Sequence, residues 1–370
     1  MKKFIFILVT FISSTCFSQI KIVDSVSGNP VQSVSILLNN GILIGITDND
    51  GKYDFTKISN ENKITDTTIV TFSHIGYENY SCKLKDIRSG IYLSLIPKLN
   101  NLIPVVINSK GSNNDYLVLY GYYRSYSYNE KKIFGFADGL IEYYIPLNSG
   151  ARIGKNYLAN RLYEKKLEKD LKQRGIITVG MDVNPGVPYL EKENILNQIS
   201  IPYEKNIINE SKTLLLDKNN NEIGLINFDK NNNTNKISID LLKIDTNKNH
   251  NFLGIRVKYI IQNIDETYQN NNLVNKKEDL LLFRSRYKNN YYYKNIVIED
   301  DCLQEFIVFD KRYISKKEYN EIRKNSHFSY SSNSPLSFNI DLIDDSFKKY
   351  NISDIPYNIK SQFNNTLLKK

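Results

Sequence analysis

Histidine is scarce in this chain, which limits the metal-binding and catalytic chemistry available to it. The three histidines are His74, His250 and His327, and none has an acidic residue three positions further on. A zinc peptidase needs a His and a Glu at close spacing together with a distant His, so that one metal position stays open. The sequence also lacks the G-x-S-x-G motif of many serine hydrolases. We therefore expect neither of these two enzyme classes.

Three turns rich in Asp and Asn resemble the first half of a calcium-binding loop. They begin at Asp217, Asp229 and Asp245. An EF-hand loop needs glycine at its sixth position and an acidic side chain at its twelfth. None of the three has the glycine, and only the second has the acid, Asp240. Because Asp and Asn adopt turn conformations readily, we interpret all three as hairpin turns.

Two other segments are candidates, one for phosphate binding and one for acid–base chemistry. Residues 150–156 resemble a phosphate-binding loop, but only three residues separate the two glycines, and Asn156 stands where a magnesium-binding Ser or Thr is needed. Residues 299–301 are the densest acidic cluster, and on a strand Glu299 and Asp301 would share one face. We expect a solvated turn there. The sequence thus predicts no cofactor, no metal and no enzyme, with a hydrolase built on dispersed carboxylates as an alternative.

One regular pattern of side chains could form a binding surface. Tyrosine and arginine recur at every second position, so on a strand they would lie on one face. This face is a candidate platform for a glycan, a peptide or a lipid head group. The alternative is a sheet face that later segments cover, with half-buried tyrosines as packing residues. The residues are Tyr120, Tyr122, Arg124, Tyr126 and Tyr128.

The first 18 residues predict export. Lys2 and Lys3 precede an apolar run at 4–12, and small residues follow up to a cleavage point after Ser18. This is the pattern of a secretory signal peptide. A membrane anchor needs roughly 20 apolar residues, which neither this run nor any later one supplies. We expect a protein of the periplasm, the outer membrane or the cell surface that is not an integral membrane protein.

Charge and cysteine content narrow the partners further. The formal net charge is +9, but Lys and Arg are spread along the chain without the dense clusters of nucleic-acid binders. We therefore expect no nucleic acid as a partner, and an unidentified envelope protein, glycan or lipid instead. Cys82 and Cys302, which would remain after cleavage, are not a disulfide framework, and we expect two free thiols.

Ordered motifs near the start of the chain resemble a known domain family. The first motif contains Asp24, Ser27-Gly28, Pro30-Val31 and Val34; the second contains Gly45, Thr47-Asp48, Asp50-Gly51, Tyr53 and Phe55. They are similar to the carboxypeptidase-regulatory-like (transthyretin-like) domain, and the resemblance continues through 71–77 and 91–106. It implies a β-sandwich that is an accessory part of a bacterial envelope protein. It does not imply peptidase activity, since the zinc ligands are missing.

The predicted fold class is mainly β with some α. A seven-stranded sandwich at 19–108 follows the signal peptide at 1–18, and a linker at 109–115 precedes an antiparallel β-rich α+β domain at 116–370. Alternating apolar residues and Asn-Gly turns support the strands. We predict strands at 69–72, 80–84, 91–95, 103–107, 223–228, 237–244, 255–264, 280–287 and 296–309.

Three helices are expected in the second domain. The segment 157–174 has leucines at helical spacing and ends at Gly175. Ser315, followed by Glu318, is typical of a helix N-cap, and 352–368 predicts a short C-terminal helix. The whole second domain resembles a half-barrel sheet wrapped on a helix, as in lipoprotein-carrier-like folds. Lipid or lipoprotein handling is therefore an alternative to a ligand- or partner-binding domain.

Overall fold

The computed structural model divides the chain into two compact units. The front unit comprises residues 1–99 and 353–361, and the main unit comprises 100–352 and 362–370. The predicted signal peptide, the predicted strand at 103–107 and most of the predicted linker lie outside the described residues. The described residues are 19–55, 64–88, 92–98, 114–148, 150–165, 185–244, 249–252, 254–269, 276–293, 296–325, 337–365 and 367–369.

In its described residues the front unit contains seven strands in two sheets, which fits the predicted mainly β fold class. One sheet has the order β4-β1-β7, with β1 and β7 parallel, and the other has the order β3-β2-β5-β6. Ile22 of the first sheet and Ile36 and Phe72 of the second are fully buried in one apolar cluster. The strands are β1 (Gln19–Asp24), β2 (Ser35–Leu38), β3 (Leu43–Ile46), β4 (Lys52–Asp54), β5 (Ile69–Ser73), β6 (Tyr80–Lys83) and β7 (Tyr92–Leu95), and a short helix, α1 (Leu84–Arg88), follows β6.

Two of the three motif aspartates of the front unit, Asp24 and Asp48, stabilise turns. Oδ1 of Asp24 accepts hydrogen bonds from the backbone N–H groups of Val26 and Ser27, at 2.8 and 2.9 Å. Oδ1 of Asp48 accepts from the N–H groups two and four residues further on, at 3.0 and 2.8 Å. These are Asx turns, in which a short carboxylate satisfies backbone donors that no strand partner reaches. The motif residues are therefore explained by turn geometry.

A short segment near the end of the chain belongs to the front unit. It contains the helix α6 (Tyr357–Lys360), and the side chain of Asn358 is buried there. Asn358 Nδ2 donates to the carbonyl oxygen of Leu38 at 2.8 Å, and its Oδ1 accepts from the hydroxyl of Thr71 at 3.0 Å. The amide thus ties this segment to β2 and β5.

The main unit is built on one twelve-stranded antiparallel sheet. Its order is β11-β12-β13-β14-β16-β17-β18-β8-β9-β10-β19, with β15 paired to β16. Strands β11 to β18 form a meander, and the hairpins β8-β9-β10 pair against its last strand. The strands are β8 (Tyr116–Asn129), β9 (Lys132–Pro146), β10 (Gly154–Lys165), β11 (Tyr203–Asn209), β12 (Lys212–Asp217), β13 (Glu222–Asp229), β14 (Thr234–Asp240), β15 (Asn249–Phe252), β16 (Ile255–Gln269), β17 (Leu280–Tyr293), β18 (Ile296–Ile314) and β19 (Leu367–Lys369).

The two faces of this sheet differ in chemistry. The core face carries the large apolar cluster, which includes Leu119, Tyr143 and Phe306, and residues 187–201 pack against it. The opposite face, here called the charged face, carries the tyrosine and arginine pattern of β8. The helices of the main unit are α2 (Ile195–Gln198), α3 (Leu241–Ile244), α4 (Lys316–Asn325) and α5 (Ile340–Tyr350).

The predicted helix at 157–174 is wrong over its described part. Residues 154–165 form β10, which pairs with β9. A β-bulge at Leu158 inserts one residue, so Tyr157 and Leu162 both pack against the core-face cluster although five positions separate them. The bulge breaks the alternation that identifies a strand, and the leucine spacing then imitates a helix. Residues 166–174 lie outside the described residues.

The other helix predictions have mixed outcomes. Ser315 is confirmed as the cap of α4, since its Oγ accepts from the N–H of Glu318 at 3.2 Å. The single helix predicted at 352–368 is wrong, because this segment contains only the short α6 and then the start of β19. The strand predicted at 237–244 ends at Asp240, where α3 begins. Helix α5 was not predicted.

Candidate functional site

The predicted tyrosine and arginine platform is on one face of β8, but it is covered. Tyr122, Arg124, Tyr126 and Tyr128 are buried, and Tyr120 is half-buried. The ring of Phe347 from α5 lies 5.2 Å from the ring of Tyr122, centroid to centroid. The alternative reading of the pattern, a sheet face covered by later segments, is therefore the one that the structure supports. An open platform is not present at these five residues.

Charged side chains form a row across this covered face. The strand register places each charged residue opposite the next one on the neighbouring strand, and positive and negative residues alternate along the row. Such alternation neutralises charges that would be costly to bury alone. In order, they are Arg161 on β10, Asp138 on β9, Arg124 on β8, Glu305 on β18, Arg284 on β17 and Asp265 on β16.

Short hydrogen bonds join two oppositely charged pairs of residues in this row. Arg161 donates to both carboxylate oxygens of Asp138, at 2.8 and 2.7 Å, and Arg124 Nε donates to Glu305 Oε2 at 2.6 Å. Burial raises the pKa of Asp138, and the bonds from Arg161 offset only part of that effect. Burial alone would lower the pKa of Arg124, but the charge of Glu305 raises it beyond its ordinary value. These charges stabilise one another, so we assign the row a structural role.

The acidic cluster at 299–301 lies inside β18, so the expected solvated turn is wrong. Glu299 and Asp301 share the charged face, as predicted from strand alternation. Asp301 accepts two hydrogen bonds from Arg286, at 2.9 and 2.7 Å, and Glu299 pairs with Lys288 at 2.8 Å. The strand continues through the cluster because basic residues on β17 compensate its charges.

Asp300 points to the core face and is not compensated in the same way. It stands opposite Asn289 in the register, and among the described residues neither Oδ1 of Asp300 nor Oδ1 of Asn289 has a hydrogen-bond partner. Burial, together with the charge of Asp301, raises the pKa of Asp300 to about 7.

Further along the core face lies a cavity of about 200 Å³, partly open to solvent. Strands β16 and β17, the segment from Tyr189 to Ile199 and helix α3 supply its walls. Most of its lining side chains are aliphatic or aromatic, which suits an apolar ligand group. The apolar lining residues other than tyrosine are Ile195, Ile199, Leu241, Ile244, Ile264 and Phe283.

One wall of the cavity contains a buried ion pair. Glu266 Oε1 accepts from Lys277 Nζ at 2.6 Å, and its Oε2 accepts from the N–H of Ile195 at 2.8 Å and from the hydroxyl of Tyr268 at 2.5 Å. Both oxygens are thus occupied by protein donors. Glu266 fixes the start of α2 against β16, and it is not available as a free general base.

The mouth of the cavity is more polar. Tyr189 is 61% exposed, and Glu191 is exposed, while Gln198 and Tyr287 are half-buried. The pKa of Tyr287 is raised, chiefly by burial. No ion-pair partner of Glu191 is found among the described residues. Glu191 therefore contributes a negative charge that no described residue neutralises through an ion pair.

The carboxylates of this cavity differ in their surroundings from the catalytic pair of a glycosidase. A glycosidase needs two carboxyl groups that can both act on one bond, and here Glu266 is already saturated by hydrogen bonds. In the part of the chain that the structure describes, no group of His, Cys, Asp or Glu could hold a metal ion. Among the same residues, no helix is both long and apolar enough to cross a membrane.

Comparison with known proteins does not assign a family. No protein-family model matches the chain, and no curated protein matches its sequence. The resemblance of the front unit to the carboxypeptidase-regulatory-like domain therefore stays a prediction that rests on the motif residues.

Sequence reasoning missed the cavity because its walls come from four separate parts of the chain. Nothing in the spacing of Glu266 and Phe283 shows that they stand opposite each other on paired strands. One local signal was available: Asn194 Oδ1 accepts from the N–H of Asn197 at 3.1 Å, and an Asn before Ile195-Leu196 is typical of a helix start. That signal locates α2, but it does not show what α2 faces.

Proposed function

We propose that this chain is an exported, non-catalytic binding protein of the bacterial envelope. The main unit binds a small, largely apolar ligand in the cavity between β16, β17 and α2, and the front unit is an accessory β-sandwich. The observation that carries the proposal is the cavity itself: six apolar side chains line it, and its buried carboxylate is saturated by protein donors.

The size of the cavity favours a fragment-sized ligand group. Sites for drug-sized ligands typically measure about 300–1,000 Å³, whereas a dry apolar cavity of about 150 Å³ is enough to bind benzene. At about 200 Å³, this cavity fits a single ring or a short alkyl chain. Transport of a complete lipid, the half-barrel alternative, would need a larger enclosure than this cavity provides.

The binding proposal is tested by filling the cavity. Phenethyl alcohol is the neutral probe, and its binding is followed by calorimetry and by the rise of the melting temperature with ligand concentration. We expect Ile199→Trp, which places an indole in the cavity wall, to weaken binding at least tenfold. Ile207→Trp is the matched control, because Ile207 is 74% exposed on β11 and does not line the cavity.

Binding by the wild type and the two variants distinguishes the possible outcomes. Binding by the wild type and by Ile207→Trp, with loss in Ile199→Trp, supports the proposal. Equal binding by all three proteins would place the ligand elsewhere, and absence of binding to the wild type would contradict the proposal. Circular dichroism of each variant shows whether its sheet is intact.

Export is tested independently of the ligand. The full chain is expressed in a Gram-negative host, and the mass of the protein in the periplasmic and membrane fractions is measured. We expect a product that begins at Gln19, since the signal-peptide pattern ends at Ser18. A full-length product confined to the cytoplasm would contradict this part of the proposal.

A further inference from the structure

Negatively charged side chains outnumber positively charged ones in the described lining of the cavity. This excess of negative charge bears on the kind of ligand that the cavity binds. Among the described residues that line the cavity, two are carboxylates, Glu191 and Glu266, and none is a lysine or an arginine. Glu266 is neutralised by Lys277 at 2.6 Å, both side chains being nearly inaccessible to solvent. The charge that a bound ligand would meet at the mouth is therefore that of Glu191.

One lysine close to the mouth of the cavity is directed at aromatic rings. Lys155 Nζ lies 5.5 Å from the ring centroid of Tyr189 and 5.8 Å from that of Tyr143. Burial lowers the pKa of Lys155, and its ammonium is stabilised by the two ring faces. Since Lys155 is not among the residues that line the cavity, it would not make direct contact with a ligand inside it.

A ligand in this cavity would place its apolar group against Ile264 and Phe283 and its polar group at the mouth. There it would meet the carboxylate of Glu191, the amide of Gln198 and the hydroxyl of Tyr287. A protonated amine would be attracted by Glu191, whereas a carboxylate would be repelled by it. A neutral hydroxyl would make hydrogen bonds without either effect.

Resting on the proposed function, we infer that the cavity selects small apolar molecules that carry a protonated amine, such as arylalkyl or alkyl amines, and disfavours the corresponding carboxylates. Glu191 is the residue that determines this preference. Because it is exposed, the effect is that of a solvent-screened ion pair and not of a buried one.

The test uses three probes of similar shape: phenethylamine, phenethyl alcohol and phenylacetate. Their dissociation constants are measured on the full chain at pH 7.5 and low ionic strength. We expect phenethylamine to bind about threefold to tenfold more tightly than phenylacetate, with the alcohol between them, as measured exposed ion pairs indicate. Half-molar sodium chloride should reduce the difference, since it shortens the screening length to a few ångströms.

Three variants locate the effect. Glu191→Gln should remove most of the preference for the amine, while the affinity for the alcohol stays within twofold. Glu193→Gln is the matched control, because Glu193 is exposed two residues away and does not line the cavity. Lys155→Met should likewise leave the order of the three probes unchanged.

The results distinguish this inference from the proposed function. If none of the probes binds, the proposed function fails, and the inference fails with it. If the alcohol binds but the amine and the carboxylate bind equally well, only the charge preference is wrong. If the preference persists unchanged in Glu191→Gln, Glu191 is not its source and the inference is overturned.

Discussion

Two buried aspartates of the main unit show how neighbouring residues change the pKa of an aspartate carboxyl group. Asp138 and Asp300 are both almost fully buried, on opposite faces of the sheet. Arg161 supplies two hydrogen bonds to Asp138, so its charge has a fixed partner. Asp300 has only the like charge of Asp301 beside it, and its pKa rises to about 7. We therefore expect Asp300 to be the titrating group of this pair near neutral pH.

The first prediction concerns Asp300→Asn. The pKa of Asp300 in the folded protein, about 7, lies above the ordinary value of 3.8, so the charged form opposes folding. This cost is absent below about pH 4, and it grows until the pH passes about 7. Removing the charge should therefore raise the free energy of unfolding by about 2 kcal/mol more at pH 8 than at pH 5. Urea unfolding of both proteins at the two pH values measures the difference.

The control for this experiment is Asp345→Asn, which removes one carboxylate from the exposed side of α5. It should change the free energy of unfolding by the same small amount at pH 5 and at pH 8. If Asp300→Asn changes the free energy of unfolding by the same amount at pH 5 and at pH 8, the carboxyl group of Asp300 does not have the raised pKa.

The second prediction concerns the charge row. Glu305→Gln would leave Arg124 and Arg284 buried beside each other without the carboxylate between them. Breaking a buried ion pair at one partner typically costs about 3–5 kcal/mol, and we expect a loss of this size in urea unfolding. Glu210→Gln, which removes an exposed pair with Lys230, should leave the unfolding midpoint unchanged. A midpoint for Glu305→Gln equal to that of the wild type would refute the structural role of the row.

Among the elements, the contact of β8 with β18 depends on a glycine. A Cβ atom at Gly121 would lie 1.9 Å from the carbonyl oxygen of Ile307, which is backbone and cannot move aside. The two strands pair along most of their length, so the loss of fit would spread along the ladder. Gly121 is thus required by the close approach of these strands.

The third prediction follows from that contact. Gly121→Ala should lower the free energy of unfolding by at least about 2 kcal/mol, because the strands must separate to admit the methyl group. Gly150→Ala is the matched control, since a Cβ at Gly150 meets no atom within 4 Å. Thermal unfolding of both variants, followed by circular dichroism, measures the effect. Equal melting temperatures for the two variants would contradict the described register.

The sequence predicts individual strands better than it predicts their partners. The strands at 223–228, 255–264 and 280–287 were found from alternation and turns, and the structure contains all three within β13, β16 and β17. The pairing of β8 with β18 was not found, because nearly two hundred residues separate them and no local pattern records such a contact. At β10, a single bulge was enough to turn a strand pattern into an apparent helix.

At the scale of the whole molecule, the chain order and the spatial order differ. Residues 353–361 return from the main unit to the front unit, and the chain then adds β19 to the main sheet. The front unit could be anticipated from its motifs, since Asp24 and Asp48 act locally in turns. The return segment could not, because its contacts are made to residues far away in sequence: the amide of Asn358 meets β2 and β5, and the carbonyl oxygen of Asp354 accepts a hydrogen bond from Asn79.

The fourth prediction concerns the segment 353–361 and its contacts in the front unit. Asn358→Ala leaves the carbonyl of Leu38 and the hydroxyl of Thr71 without one partner each, which should cost about 1–3 kcal/mol. Hydrogen exchange followed by mass spectrometry should therefore become faster in β2 and β5, while β17 in the main unit keeps its protection. Lys360→Ala, an exposed change on the same short helix, is the control. Unchanged protection of β2 and β5 in Asn358→Ala would contradict the described contacts.

We propose above all that the cavity on the core face of the main sheet binds a small apolar ligand. The most direct measurement is a methyl NMR titration of the full chain, with isoleucine δ1 methyl groups labelled and phenethyl alcohol added. We predict saturable shifts for the methyl groups of Ile195, Ile199, Ile244 and Ile264, which line the cavity, and none for the exposed Ile207 or for Ile22 in the front unit. Shifts that avoid the four cavity isoleucines, or the absence of any saturable shift, would contradict the claim.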